Sequence, residues 1–205
     1  LHVTEHSFPT RRSSDLNGYK TSYDAPAEGG TITVSATITD IAGNTSPKGE
    51  DSAVLDTTAT PAPTVVITED ANNDGLISKA ELDGKVDVTI TVPTEANVGD
   101  TLNVTNPDGT TTTVKITEAI KTSGYTTQYD KPDEGGTITV SATITDKAGN
   151  ISLPGSDTAT LDTTATPAPT VVITEDVNND GTISNTELDG KVDVTITVPT
   201  EANVG

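Results

Sequence analysis

Two long segments of the chain recur 106 residues further on. Residues 61–99 match residues 167–205 at 35 of 39 positions, and residues 17–60 match residues 123–166 at 32 of 44 positions. A repeat of this length is the size of a folding domain, so the copies form modules in tandem. We expect the C-terminal part of a first repeat in 17–60, a complete repeat in 61–166, and the N-terminal part of a third, truncated repeat in 167–205.

Residues 1–16 stand outside this repeat. Residues 6–16 read His-Ser-Phe-Pro-Thr-Arg-Arg-Ser-Ser-Asp-Leu, which is the translation of a common sequencing-library adapter. We interpret residues 1–16 as an adapter-derived, non-native segment and exclude them from the fold. A genuine basic arm is the alternative. Both histidines and the one phenylalanine of the chain lie in this segment.

Apolar and polar residues alternate through the complete repeat, which is the pattern of half-buried strands. Two strands alternate most clearly and place inward Val86, Val88, Ile90 and Val92, and Ile138, Val140, Ala142 and Ile144. Further strands are predicted at 64–68, 102–104, 114–116, 125–129 and 159–161, with single helical turns at 78–82 and 117–121. Seven short strands in about 100 residues predict an all-β fold of tandem immunoglobulin-like β-sandwich repeats.

A twelve-residue pattern, D-x-[DN]-x-[DN]-G-x5-E, occurs at 70–81 and again at 176–187. Its spacing supplies the six to eight oxygens that a hard cation requires, and a glycine at position 6 permits the sharp turn. The sequence therefore predicts Ca²⁺ as the cofactor. The predicted metal ligands are Asp70, Asn72, Asp74, Leu76 (through its carbonyl), Ser78 and Glu81 in the first loop, and Asp176, Asn178, Asp180, Thr182, Ser184 and Glu187 in the second.

The alternative is a turn rich in Asn, Asp and Gly that only resembles a calcium loop. Glu81 favours the metal, because a plain turn does not require an acid at position 12. The two loops differ only at positions 2, 7, 10 and 11, where no side chain is expected to bind metal. The flanking segments are too short for a helix pair, so we expect a calcium loop in a β context, with an affinity of about 10⁻⁴–10⁻³ M.

The composition excludes several classes of function. A formal charge of −20, from 31 acidic and 11 basic residues, argues against binding nucleic acid. No apolar run of about 18 residues is present, so we expect no membrane insertion. The chain lacks cysteine, and it has no histidine beyond residue 6. Ser-His-Asp and Cys-His arrangements are therefore unavailable in the repeats, and we expect no enzymatic activity.

Acidic and amide side chains also recur where consecutive repeats meet. They are Asp40 and Asn44, repeated as Asp146 and Asn150, together with the linker residues Asp56 and Asp162 and the following Glu69 and Asp70. A second metal between them would stiffen the joint. Solvated turn residues are the alternative. The two linkers, residues 56–63 and 162–169, each carry two prolines, which favour an extended path.

Three motifs carry a family resemblance. They are Gly-Gly-Thr-Ile-Thr-Val-Ser-Ala-Thr-Ile-Thr-Asp at 29–40 and 135–146, Ala-Gly-Asn at 42–44 and 148–150, and Leu-Asp-Thr-Thr-Ala at 55–59 and 161–165. With them the chain resembles the bacterial Ig-like repeats of large biofilm-associated adhesins exported by type I secretion. The resemblance implies a long extracellular stalk on the bacterial cell surface, with the adhesive target bound by another part of the parent protein.

Two functions fit these observations. The first is a structural spacer, in which calcium-stiffened modules hold an adhesive tip away from the cell and the partners are neighbouring repeats of the same chain. The second is direct binding of a carbohydrate or of ice through outward threonine rows such as Thr139, Thr143 and Thr145. An ordinary solvated strand face also explains those rows.

Overall fold

The structure is a computed structural model that describes residues 2–8 and 20–202. Its elements in chain order are β1 His2–Phe8, β2 Thr31–Ile38, β3 Gly49–Val54, β4 Thr64–Ile67, β5 Leu76–Ser78, β6 Val86–Thr91, β7 Thr101–Thr105, β8 Thr111–Lys115, α1 Glu118–Ser123, β9 Tyr125–Tyr129, β10 Thr137–Thr145, β11 Gly155–Asp162, β12 Thr170–Ile173 and β13 Val194–Thr197. No helix among the described residues has the length and apolarity that crossing a membrane requires.

The complete repeat forms two sheets. One has the strand order β4-β6-β9, and the other has the order β5-β11-β10-β7-β8. All neighbours pair antiparallel except β5 and β11, which pair in parallel. This arrangement is an immunoglobulin-like sandwich, in which the first strand is split between the two sheets. The prediction of an all-β, immunoglobulin-like fold is confirmed.

The core lies between the inner faces of the two sheets. The alternation along β6 and β10 is confirmed, since every second residue of each strand is buried. The buried set contains only Val, Ile, Leu and Ala, while Tyr125 and Tyr129 pack against it half-buried. Such aliphatic side chains each contribute about 1.5–3 kcal/mol when fully buried. The module therefore has a core without a fully buried aromatic ring.

The sequence predicted seven strands in the complete repeat, and the structure contains eight. The additional strand is β5, which lies within the predicted calcium loop at positions 7–9 and pairs with β11 through Leu76↔Thr160 and Ile77↔Leu161. Three residues are too few for a periodicity signal, so the pairing partner and not the local pattern creates this strand. The 78–82 turn is present as hydrogen bonds from the amides of Glu81 and Leu82 to the Ser78 carbonyl.

The helical turn predicted at 117–121 is the short helix α1. Thr117 caps its start, because the Thr117 hydroxyl accepts a hydrogen bond of 3.3 Å from the Ile120 amide. Gly124, with a φ of 78°, ends it and donates to the Ile120 carbonyl at 2.9 Å. A threonine before the helix and a glycine after it are the signals that make such a turn readable from sequence.

The first repeat contributes β2 and β3, which pair antiparallel. On the other edge of β2 lies β1, in parallel. This strand belongs to residues 1–16, which the sequence analysis excluded from the fold. An unpaired strand edge accepts any extended segment nearby, and β1 takes the edge that β7 occupies on β10 in the complete repeat. The rest of the predicted non-native segment, 9–16, lies outside the described residues.

The third repeat contributes a hairpin of β12 and β13. It repeats the pairing of β4 with β6 in the complete repeat. The apolar side chains of both strands are exposed, whereas their counterparts on the inner face of β4 and β6 are buried. The inner face of this hairpin thus has no second sheet against it among the described residues.

Candidate metal centre

The first predicted calcium loop is the crossover between the two sheets of the complete repeat. It leaves β4, which belongs to the three-stranded sheet, and enters β5, which belongs to the five-stranded sheet. Its middle is anchored in the core, because Ile77 at position 8 of the loop, on β5, is fully buried. The Gly75 carbonyl adds a bond of 2.9 Å from the Thr160 amide of β11. Any ion held by this loop would therefore sit where the chain joins both sheets.

The first half of the loop is held by side-chain oxygens that accept backbone amides. Asp70 Oδ1 and Asn72 Oδ1 converge on the Asp74 amide at 3.1 and 2.9 Å. Asp70 Oδ2 accepts from the Gly75 amide at 2.8 Å, and Asp74 Oδ1 accepts from the Leu76 amide at 2.9 Å. The structure thus brings the predicted ligands at positions 1, 3 and 5 together.

Two residues in the left-handed backbone conformation make this convergence of side chains on the Asp74 amide possible. Asn73 has a φ of 56° and Gly75 a φ of 86°. Asparagine and glycine adopt this conformation at lower cost than other residues. No atom lies within 4 Å of a Cβ built on Gly75, so the backbone conformation, and not lack of space, is what requires glycine at position 6.

Glu81 closes the second half of the loop. Its Oε2 accepts the Ser78 amide at 2.9 Å and the Ser78 hydroxyl at 2.7 Å. These bonds, first the amide and then the hydroxyl, lower the pKa of Glu81, and the amides of Asn72 and Ala71 lower it further. The carboxylate of position 12 therefore reaches back to the beginning of the loop and stays charged at neutral pH.

The second loop repeats this network with nearly the same distances. Asp180 donates its amide to Asp176 Oδ1 and Asn178 Oδ1 at 3.1 and 2.9 Å, and the Gly181 amide donates to Asp176 Oδ2 at 2.9 Å. Glu187 accepts the Ser184 amide at 2.8 Å. In the second loop the hydroxyl of position 9 has an additional neighbour, since Ser184 Oγ lies 2.9 Å from Thr186 Oγ1.

This second copy has no counterpart of β5, because Thr182 and Ser184 lie outside any strand. The loop nevertheless keeps its hydrogen bonds. Its conformation is therefore encoded locally by the Asp, Asn and Gly positions and does not depend on the neighbouring sheet.

The oxygens present suit a calcium ion in their chemistry. The loop offers carboxylates, an amide oxygen, a hydroxyl and backbone carbonyls, which are the ligands that hard cations select. Asp70 is 5% exposed, and a buried carboxylate requires compensation by donors or by a cation. The residues therefore fit Ca²⁺.

In the described part of the chain, however, no group of three or more His, Cys, Asp and Glu side chains is arranged to hold a metal ion. Carboxylates at short distance repel one another, and here each accepts loop amides instead. The individual ligands of both loops stay a prediction.

The acids expected at the joint between repeats are only partly brought together. Asn150 donates to Asp146 Oδ2 at 2.9 Å, and to the carbonyl and Oδ1 of Asp56 at 3.2 and 3.3 Å. Glu69 is instead used within its own repeat, where it accepts the Asp83 amide. Glu175 does the same with Asp189 in the third repeat. Apart from the recurrence of Glu69 and Asp83 as Glu175 and Asp189, nothing in the sequence indicates this bond.

A family model described as EF hand matches residues 70–86. Among curated proteins, none matches the chain. The match covers the first loop and the segment up to β6, and it confirms the prediction that calcium is the cofactor.

The solved structures that are similar to the chain include the following two. One is described as a Ca²⁺-stabilised adhesin that helps an Antarctic bacterium reach out and bind ice; it is 27% identical over 71% of this chain and 35% of its own, with a TM-score of 0.39. The other is a bacterial immunoglobulin-like domain from the M. primoryensis ice-binding adhesin, 20% identical over 51% of this chain and 100% of its own, with a TM-score of 0.32. The chain thus spans about a third of the first structure's length. The strand topology described above, and not this likeness, defines the fold.

Proposed function

We propose that the chain is a calcium-stiffened spacer of an extracellular bacterial adhesin, in which immunoglobulin-like modules extend an adhesive part away from the cell. The observation that supports this most directly is the position of the first calcium loop at the crossover from β4 to β5. An ion bound there would tie the two sheets of a module to each other through one short segment.

The core gives calcium a physical role in such a module. It contains aliphatic side chains only, and domains of this size have a total stability of about 5–15 kcal/mol. An ion that binds only the folded state adds about 1.4 kcal/mol when its concentration is tenfold above Kd, and about 2.7 kcal/mol at a hundredfold. Calcium would thus contribute a considerable share of the stability in an extracellular fluid.

In this proposal the ligands in the first loop are the side chains of Asp70, Asn72, Asp74, Ser78 and Glu81 with the Leu76 carbonyl. The corresponding set in the second loop is Asp176, Asn178, Asp180, Ser184 and Glu187 with the Thr182 carbonyl. The bound ion would supply positive charge that holds these oxygens together. The chain's own contribution is the turn that orients them.

The surface location, the link to biofilm formation and export by type I secretion are part of the proposal as well. They are supported by the repeated Gly-Gly-Thr-Ile-Thr-Val-Ser-Ala-Thr-Ile-Thr-Asp motif and by the absence of cysteine, which leaves calcium and not disulfides as the cross-link in an oxidising medium. The net charge of −20 fits a surface that attracts cations and repels its own copies.

The test is a calorimetric calcium titration of the full chain, combined with its melting temperature in CaCl₂ and in EGTA. We expect two binding events at about 10⁻⁴–10⁻³ M and a lower melting temperature in EGTA. Melting that is unchanged by EGTA would refute the stiffening role. A signal on a glycan array or in an ice-affinity assay would instead favour direct ligand binding.

The outward threonine rows do not favour the alternative of direct carbohydrate or ice binding. Thr139 Oγ1 lies 2.9 Å from Thr158 Oγ1, and Thr137 Oγ1 lies 3.3 Å from Thr160 Oγ1. These hydroxyls form cross-strand pairs between β10 and β11, which stabilise the sheet by themselves.

A further inference from the structure

The start of each linker is held by a glutamate from the repeat that it leaves. Glu28 Oε1 accepts the amides of Thr57 and Thr58 at 2.9 and 3.2 Å, and Glu28 Oε2 accepts the Thr57 hydroxyl at 2.7 Å. A single carboxylate thereby takes three hydrogen bonds from two successive linker residues. Hydrogen bonds to an ionised acceptor are about twice as strong as neutral ones.

The complete repeat forms the same contact again. Glu134 Oε1 accepts the amides of Thr163 and Thr164 at 2.8 and 3.1 Å, and Oε2 accepts the Thr163 hydroxyl at 2.7 Å. The two copies agree within 0.1 Å, although one module is complete and the other is partial. The contact is therefore a feature of the repeat and not of one particular surrounding.

A pair of glycines positions this glutamate. The amide of Gly135 donates to the Leu161 carbonyl at 2.8 Å, and the Leu161 amide donates to the Gly136 carbonyl at 2.9 Å. Gly135 has a φ of 74°, and a Cβ on Gly136 would lie 2.7 Å from the Asp133 carbonyl oxygen. Only glycine fits both positions, so the turn fixes Glu134 beside the end of β11.

The first linker, residues 56–63, is also contacted by the repeat that follows it. Asn150 Nδ2 donates to the Asp56 carbonyl and to Asp56 Oδ1, while Asp146 Oδ2 accepts from the same amide group. At the far end of the linker Pro63 is buried, and a Cβ on Gly155 would lie 1.8 Å from the Pro63 carbonyl oxygen. Residues 56–63 are thus fixed near both ends.

We propose that consecutive repeats are coupled by a direct hydrogen-bonded joint, in which the Glu-Gly-Gly turn of one repeat binds the Thr-Thr pair of its linker and the Asp-x-x-x-Asn loop of the next repeat binds the linker aspartate. The partner of this surface is therefore the neighbouring repeat of the same chain. The joint serves the spacer role proposed above and rests on it for its purpose, but its contacts do not involve the calcium loops.

The physical consequence is that few residues of the linker stay free to bend. An eight-residue linker that is free at every residue loses about 1–2 kcal/mol of backbone entropy per residue when it is ordered. Here Glu28 orders the start, the two prolines restrict the end, and Asn150 connects the start to the next module. Bending between modules then requires breaking charge-assisted hydrogen bonds, and not only rotating a flexible segment.

The first experiment measures amide hydrogen exchange by NMR in the full chain at saturating CaCl₂. Glu28→Ala should accelerate exchange of the Thr57 and Thr58 amides roughly tenfold and leave Thr163 and Thr164 unchanged. Glu134→Ala should do the reverse, so each variant is the control for the other. Wild-type exchange of Thr57 and Thr58 in Glu28→Ala would overturn the proposal.

The second experiment tests the other side of the joint. The chain has no native cysteine, so fluorophores at Ala53→Cys and Thr111→Cys, both exposed, report the distance across it. Asn150→Ala should broaden the distance distribution. Asn44→Ala, which removes the equivalent bond to Asp40 Oδ2 within the first repeat, should leave it unchanged. Equal distributions for the two variants would refute the bridge to Asp56.

These outcomes are separable from those of the calcium test. If EGTA leaves melting unchanged while Glu28→Ala loosens the linker amides, the joint stands and the calcium role fails. If EGTA lowers the melting temperature while both glutamate variants exchange like the wild type, the calcium role stands and the joint fails.

Discussion

At the scale of the residue, Glu81 has two roles that use the same oxygens. It accepts the Ser78 amide and hydroxyl, as a glutamate three residues after a cap does, and it is also the predicted bidentate calcium ligand. The bonds to Ser78 use one carboxylate oxygen, Oε2, whereas bidentate binding of calcium uses both oxygens. A substitution that keeps the size of the side chain but removes its charge separates the two.

Glu81→Gln should therefore weaken calcium binding at the first loop by roughly tenfold or more, which is about 1.4 kcal/mol. Lys79→Gln, in the same loop at a position that is not a predicted ligand, should have little effect. Calorimetry on the two full-length variants makes the comparison, and the second loop gives an internal reference. Equal affinities for the two variants would contradict the assignment of Glu81 as a ligand.

Glu134 provides a prediction on pH. The hydrogen bond from the Thr163 hydroxyl is the largest cause that lowers the pKa of Glu134 below that of an ordinary glutamate, and the amides of Thr163 and Thr164 add to it. Because the folded-state pKa is lowered, the contact is fully present above the unfolded pKa and is lost as pH falls through the folded pKa. Asp133 and Asp162 are the titratable neighbours in sequence.

We accordingly expect the Thr163 amide signal to titrate with a midpoint below the usual range of a glutamate, measured by NMR from neutral to strongly acidic pH. Glu134→Gln should remove this transition. Persistence of the same transition in Glu134→Gln would assign it to a neighbouring acid and contradict the prediction.

At the scale of the element, β11 connects the calcium loop with the two linkers of the complete repeat. It pairs with β5 inside the calcium loop, its first residue lies against the incoming linker, and its end leads into the outgoing linker. The close approach of Pro63 to Gly155 makes this strand sensitive to a single methyl group, because backbone atoms cannot move aside as a flexible side chain can.

Gly155→Ala should therefore destabilise the complete repeat by about 1–3 kcal/mol and displace the linker. Gly49→Ala is the matched control, since Gly49 occupies the equivalent position of the first repeat and its nearest neighbour would be the Ala36 carbonyl oxygen at 3.9 Å. Thermal unfolding of both variants makes the comparison. A similarly small loss of stability in both variants would show that the linker moves to accommodate the methyl group, and would contradict the prediction.

At the scale of the whole molecule, modules of one sign of charge are joined by short linkers. With a net charge of −20, the modules repel one another over about 8–10 Å at physiological salt, which favours extension but does not fix an angle. Bound calcium and the hydrogen-bonded joint would restrict the angle. Extension and stiffness thus have different origins.

Small-angle scattering of the full chain should distinguish extension by charge repulsion from stiffening by calcium. We expect EGTA to increase the signs of flexibility in the scattering curve, while added monovalent salt at constant calcium has a smaller effect. If salt changes the curve as much as EGTA does, general charge repulsion and not specific calcium binding determines the shape.

The calcium loops were predictable from sequence because their conformation is local. Asp70, Asn72 and Gly75 form the same hydrogen bonds as their counterparts 106 residues later, where no β5 strand supports them. Strands β6 and β10 were predictable because period-two alternation follows from burial on one face. The glutamate of the joint was not predicted, because its partner lies 29 residues away in the chain.

The sequence alone determined the repeat, the alternating strands and the conformation of the calcium loop, since each depends on residues close together in the chain. Only the tertiary structure decided burial and pairing. Val65 and Ile67 are 6% and 0% exposed, whereas the identical residues Val171 and Ile173 are 60% and 47% exposed. The difference arises because burial requires a second sheet, and that sheet is formed by residues distant in the chain.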